Sequence, residues 1–117
     1  MLANLIYVAL GGALGSTLRM LVGLAVAFPF GTLAVNVLGS FAIGIAWTAG
    51  VDKMPGLHPF LMLGVLGGFT TFSTFSLDVM KLIEGGQLGF AIAYVLASVV
   101  LSLAACAFGL MIMRALA

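Results

Sequence analysis

The sequence predicts an all-α fold: a four-helix transmembrane protein with a broken third helix. Three observations lead there. Of 117 residues, 64% are hydrophobic and only 6% are charged, where soluble domains carry roughly 25% charge. A mean hydropathy of +1.37 leaves too little polar material to coat a sphere in water. Four apolar segments of the size that crosses a bilayer, about 20 residues, are separated by short polar or proline- and glycine-bearing stretches. Within the third segment a glycine pair and a threonine pair follow each other closely. Residues 1–117 read as a single transmembrane domain.

The first span covers about residues 3–27 and is closed by Phe28-Pro29-Phe30-Gly31, since proline and glycine punctuate the chain. The second covers about 32–50. After it, the stretch from Val51 to Pro59 holds Asp52, Lys53 and two of the three prolines, the clearest loop in the chain. The third span covers about 60–83, Glu84-Gly85-Gly86-Gln87 forms a turn, and the fourth span covers about 88–113. Short loops make sequential neighbours antiparallel. Apolar segments recur to the last residue and no basic stretch opens the chain, so a cleaved signal peptide is not expected.

The charges are four cations and three anions, for a net charge of +1. No basic run is present, which argues against nucleic acid as a partner. Orientation in the membrane follows the Lys and Arg excess on the cytoplasmic side. Four spans put Lys53 and Arg114 on one side and Arg19 and Lys81 on the other, which is no excess. The expectation is dual topology, with opposed copies pairing about a two-fold axis in the membrane plane as an antiparallel homodimer. The lone Cys106 forms no intrachain disulfide.

Polar residues inside a span mark a pathway or an interhelical bond. Asn36 in the second span brings two donors and an acceptor, with Thr32 one turn earlier on the same face. Arg19 near the end of the first span either snorkels to the surface or raises anion concentration in a vestibule. Gly67-Gly68-Phe69-Thr70-Thr71 is a poor continuous helix, and a break is expected from Gly67 to Thr71, the alternative being a glycine-mediated close contact between helices. Carbonyls freed by a break coordinate cations, and a half-helix N-terminus favours anions. Phe72 and Phe75 share a helical face and can turn electropositive ring edges to a passing ion, although two Phe at this spacing in an apolar chain more often only pack. In the fourth span Tyr94, Ser98, Ser102 and Cys106 recur every four residues, as a pore wall or as serines bonded to their own i−4 carbonyls. His58 has no partner at metal-ligand spacing, and Trp47 suits an interfacial belt. No nucleophile, base and orienter stand together, so an enzyme is not expected.

Gly11-Gly12 through Arg19-Met20, Gly31-Thr32-Leu33-Ala34-Val35-Asn36 and the run from Gly67 to Ser76 occur in this order. Together they resemble the Fluc/CrcB family of bacterial fluoride channels along the whole chain. The resemblance implies a dual-topology homodimer in the bacterial cytoplasmic (inner) membrane. It implies two fluoride pores that let F− leave the cytoplasm down its gradient, and a structural Na+ at the dimer interface held by the backbone carbonyls of Gly67 and Thr70. It assigns Asn36, Phe72, Phe75, Tyr94, Ser98 and Ser102 to the fluoride pathway, places the hydroxyls of Thr32 and Ser73 near it, and puts Arg19 at a vestibule. Met20 follows Arg19 where members often carry an aromatic residue. A small multidrug-type proton-coupled transporter is the main alternative. It needs a carboxylate in mid-span, whereas Asp78 and Glu84 are expected to flank the end of the third span. A non-transporting membrane subunit is the other alternative, and it leaves the coincident polar stripes unexplained.

Overall fold

The computed structural model describes residues 1–116. They form helices α1 (Leu2–Ala25) and α2 (Phe30–Thr48), a 3-10 turn at Val51–Lys53, and a π-helical segment, His58–Leu66, that runs into the single α-turn α3 (Gly67–Phe69). Helices α4 (Phe72–Glu84) and α5 (Leu88–Leu116) follow. Four stretches are long and apolar enough to cross a membrane: Leu2–Ala25, Phe30–Thr48, His58–Glu84 and Leu88–Leu116. In lipid the helix is favoured because it satisfies its own peptide groups, whatever the propensity of its residues.

The first helix ends earlier than the sequence suggests because Val26 turns extended ahead of Pro29, whose preceding residues disfavour the helical region. The loop after α2 turns on Gly50 at φ 83° and Gly56 at φ 78°, a left-handed region open to glycine at no steric cost. The fourth helix runs to Leu116, past the expected end.

Two glycine interlocks hold the spans together. Gly11 and Gly15 on α1 lie against Gly64, Val65 and Phe69 of the third span, and Gly68 lies against Gly12 and Ser16. A Cβ on Gly64 would stand 2.9 Å from the Gly11 Cα, and one on Gly68 would stand 2.8 Å from the Gly12 oxygen. These contacts advance along both spans together, so the two run parallel. Gly44 of α2 meets Cys106 and Leu110, while Gly109 of α5 meets Phe41 and Ile45; Phe30 lies against Phe90 and Phe41 against Phe108, so spans two and four are parallel as well. Small residues let backbones approach where no hydrophobic force drives helices together in lipid.

Most large apolar side chains face outward, as a lipid solvent requires. What is buried is small: Phe75, Leu82, Ala91 and Tyr94 between α4 and α5, and Ala46, Val51 and Leu66 between α2 and the start of the third span.

Replacing Gly15 with Val drives a side chain into the Val65 carbonyl. It is expected to destabilise the fold by about 1–3 kcal/mol, the range for overpacking. A Cβ on Gly12 meets nothing within 4 Å, so Gly12→Ala should leave stability unchanged. Thermal unfolding in detergent compares the two, and equal effects would discard the interlock.

Candidate functional site

The helical ladder of the third span ends at Thr70, whose N–H still reaches the Leu66 carbonyl at 3.1 Å. Gly67 and Gly68 remain helical. Thr70 (φ −86°, ψ 156°) and Thr71 (φ −154°, ψ 122°) are the two extended residues. Extending them removes the i→i−4 partners of the peptides on either side, and every such group needs a replacement.

The replacements come largely from side chains. Asn36 of α2 faces the Thr71 peptide: Thr71 N–H donates to Oδ1 at 2.8 Å, and Nδ2 donates to the Thr71 carbonyl at 3.0 Å. Thr71 caps α4, its Oγ1 accepting from Thr74 N–H at 3.2 Å, and the same oxygen lies 3.4 Å from the Ser73 hydroxyl. The Thr70 hydroxyl donates to the Leu66 carbonyl at 3.0 Å. From α1, Arg19 Nε donates to the Gly68 carbonyl at 3.0 Å. Arg19 therefore reaches into the protein rather than snorkelling to the surface, and half-burial with a carbonyl partner offsets part of the cost of a cation in a span. Among the described residues, the hydrogen bonds that replace the ladder reach the carbonyls of Leu66, Gly68 and Thr71 and leave those of Gly67, Phe69 and Thr70 without a donor.

Beside this segment lies a cavity of about 460 Å³. It gathers residues from three spans: Asn36, Gly39 and Ser40 of α2; Gly67, Thr70, Thr71, Phe72 and Phe75 of the third span; and Ser98 and Ser102 of α5. Among the described residues, no charged side chain lines it. Ser98 is 6% exposed, and its hydroxyl has no hydrogen-bond partner among the described residues, so it is not bonded to its own i−4 carbonyl. An unpartnered buried hydroxyl is costly, and this one stands on the cavity wall. The Phe72 and Phe75 ring centroids are 5.5 Å apart at 46°, and the Phe75 and Tyr94 centroids are 5.4 Å apart at 43°. Phe75 is buried, whereas Phe72 is 77% exposed, which leaves the cavity open on that side.

The other candidate residues stand outside this lining. Tyr94 is buried and its hydroxyl donates to Asp78 Oδ2 at 3.2 Å. Thr32 lines a smaller pocket of about 140 Å³ with Asp78, Gly31 and Pro29. Ser73 is exposed beside Thr71. Asp78 corrects an expectation. It is 4% exposed, six residues before the end of α4, because Phe75, Asp78 and Leu82 share the face that α4 turns inward. The available signals were that face and a tyrosine hydroxyl in need of a partner. Thr71 carries a signal of its own, since a threonine ahead of an amphipathic run is a helix N-cap signal.

Four helices long and apolar enough to cross a membrane, three of them lining a cavity with a few neutral polar groups on a largely apolar wall, define a multi-pass helical membrane protein. Residues 6–110 match the family model described as CrcB-like protein, Camphor Resistance (CrcB), and the chain belongs to that family. A curated relative, the fluoride-specific ion channel FluC of Rhizobium meliloti (strain 1021), is 51% identical over 97% of this chain and 98% of its own length. Proteins with the same description from Paracoccus denitrificans (strain Pd 1222) and Cereibacter sphaeroides (strain ATCC 17029 / ATH 2.4.9) are 53% and 49% identical, over 93% and 97% of this chain and of their own lengths.

Tyr94→Phe removes the donor to the buried Asp78 carboxylate. It is expected to cost about 1–3 kcal/mol of stability, read as a lower unfolding temperature in detergent. In a double-mutant cycle with Asp78→Asn the two losses should not add. Additive losses would show that the bond does not couple the helices.

Proposed function

We propose that this chain is a fluoride channel that lets cytoplasmic F− leave down its electrochemical gradient across the bacterial inner membrane. The observation that carries the reading is the convergence of Asn36, Ser98, Ser102, Phe72 and Phe75, from three spans, on one uncharged cavity. Family membership and the names of the relatives supply the ion.

Fluoride is small and strongly hydrated, so a pore must replace its water with short donors. An amide N–H, rotatable hydroxyls and the electropositive edges of aromatic rings can do so. Neutral donors also let the ion go. A fixed cation in the lining would hold it in a low-dielectric site. Tyr94, Thr32 and Ser73 extend the pathway beyond the cavity toward its ends, and Arg19 is the cation that attracts the anion from a vestibule. This function needs no catalytic machinery, and the protein is not an enzyme. Asp78 is engaged by Tyr94 and is not part of the cavity lining, so it gives no support to a proton-coupled drug transporter.

The functional unit of this proposal is an antiparallel homodimer of opposed copies with two pores. Three features support it: the cavity open beside Phe72, the even division of Lys and Arg between the two sides, and Gly67. A Cβ on Gly67 would meet only the Met62 oxygen, at 3.7 Å, so nothing within the chain demands a glycine there. A second copy crossing at the interruption of the third span, the broken helix of this reading, would. The Gly67 and Thr70 carbonyls, left without donors by the extended residues, are a hard-oxygen set of the kind Na+ takes. In the dimer they would hold a structural Na+ whose charge relieves the repulsion between converging carbonyl dipoles.

Purified protein in liposomes should release fluoride and not chloride. Absent fluoride flux, or equal chloride flux, would sink the assignment. Phe72→Ile and Phe75→Ile should each lower fluoride flux at least about ten-fold, the loss of one ion contact of about 1.4 kcal/mol, while the dimer survives on size exclusion. Unchanged flux in both removes the rings from the pathway. A C-terminal reporter active on one side only should label about half the copies, and a single orientation refutes dual topology.

A further inference from the structure

A carboxamide is an amphoteric ligand: its oxygen suits a cation and its NH2 group suits an anion. At Asn36 one neighbouring peptide removes the ambiguity. The Thr71 N–H can donate only to the oxygen, and the Thr71 carbonyl can accept only from the nitrogen. Turning the amide over would set N–H against N–H and oxygen against oxygen, losing both bonds and leaving four polar groups opposed in a half-buried place. The Thr71 peptide is itself held fast. Its side chain caps α4 through Thr74 N–H, and the preceding Thr70 is seated against Gly39 of α2, with a methyl group where a Gly39 Cβ would stand.

We infer that Thr71 is a positioning residue for ion selectivity: its peptide group locks the Asn36 carboxamide in one orientation, with the oxygen held on the Thr71 N–H and an N–H of the amide left for the cavity. One lone pair of the oxygen and one N–H are engaged by Thr71, and the second N–H remains for the cavity that Asn36 lines. Across the same cavity stands the Ser98 hydroxyl, buried and without a partner, able to rotate its proton to the same ion. A site built this way turns N–H and O–H to an anion while the oxygen that would attract a cation is turned into the backbone. Discrimination by charge then needs no charged residue in the lining. The identity of the ion rests on the channel reading, but the lock does not.

The chain contains two asparagines, Asn4 and Asn36, so 15N-asparagine reports the site with one other side chain. In the full chain in lipid, without halide, Asn36 is expected to show two distinct side-chain protons that neither average nor exchange places. On addition of sodium fluoride, one should shift and the other, bonded to Thr71, should not. The Thr71 N–H, followed by 15N-threonine, should exchange with deuterium at least about ten-fold faster in Asn36→Ala, the equivalent of one lost hydrogen bond. Averaged Asn36 protons, or unchanged Thr71 exchange in Asn36→Ala, would overturn the lock. A free proton indifferent to fluoride would overturn the selectivity role.

Asn36→Asp keeps an acceptor for the Thr71 N–H but turns an oxygen to the cavity. Fluoride flux should fall at least about ten-fold with the Thr71 N–H still slow to exchange, and undiminished flux counts against the proposal. The wild-type spectra decide the lock even if the aspartate variant does not fold. Because they are taken without halide, failure of the lock and failure of the fluoride reading are distinguishable.

Discussion

No water reaches the middle of a bilayer to satisfy a peptide group, and the organisation of this chain follows from how it meets that constraint at Thr70 and Thr71. Two extended residues in the third span cost the helix its local hydrogen bonds. Asn36 and the Thr71 hydroxyl meet part of the deficit and Arg19 another part. These groups come from α1, from α2 and from the interruption itself, so the segment is held from both sides and cannot heal into a straight helix without leaving its partners unsatisfied. Among the described residues, the carbonyls of Gly67, Phe69 and Thr70 are left without a donor.

The glycine interlocks serve the same end. Arg19 can reach the Gly68 carbonyl because α1 lies against the third span through Gly11, Gly15, Gly64 and Gly68. Asn36 can meet the Thr71 peptide because Gly39, three residues along the same helix, gives way to the Thr70 methyl. Close backbone approach sets the short distances, and those distances allow neutral side chains to do what water does elsewhere. The cavity is the space that remains where α2, α5 and the extended residues cannot approach so closely, with Phe72 and Phe75 at one end and the two serines of α5 along its wall. Away from it, the Asp78–Tyr94 bond joins α4 to α5 through a buried carboxylate, so the half of the third span beyond the interruption carries its own polar tie.

Much of the fold was legible. Membrane spans are written in composition and length, because a bilayer imposes one length and one polarity on any helix that crosses it. A break was expected from Gly67 to Thr71; in the structure the glycines are helical and only Thr70 and Thr71 are extended. Helix propensity weighs against both pairs alike, and glycine here serves packing, which propensity does not describe. The site was legible as a set of residue types. Asn36, Phe72, Phe75, Ser98 and Ser102 do share a cavity, whereas Tyr94 and Thr32 stand apart from it and Asp78 is buried where a span end was expected.

Composition and span length alone say that the protein lives in lipid, that four segments are long and apolar enough to cross a membrane, and that the polar residues within them are few, most of them neutral, and concentrated in the third span and on one stripe of the fourth. Those conclusions depend on composition and periodicity, which are local. It takes the tertiary structure to show that Asn36 is paired with the Thr71 peptide, that Arg19 points inward to a carbonyl, that Ser98 has no partner among the described residues, and that Asp78 is tied to Tyr94. Each of these is a pairing between groups 16 to 49 residues apart for which a partner can be named, or, at Ser98, the lack of one. The donors and acceptors of a side chain are known from its identity, but which of them remains available depends on what the fold has placed against the others.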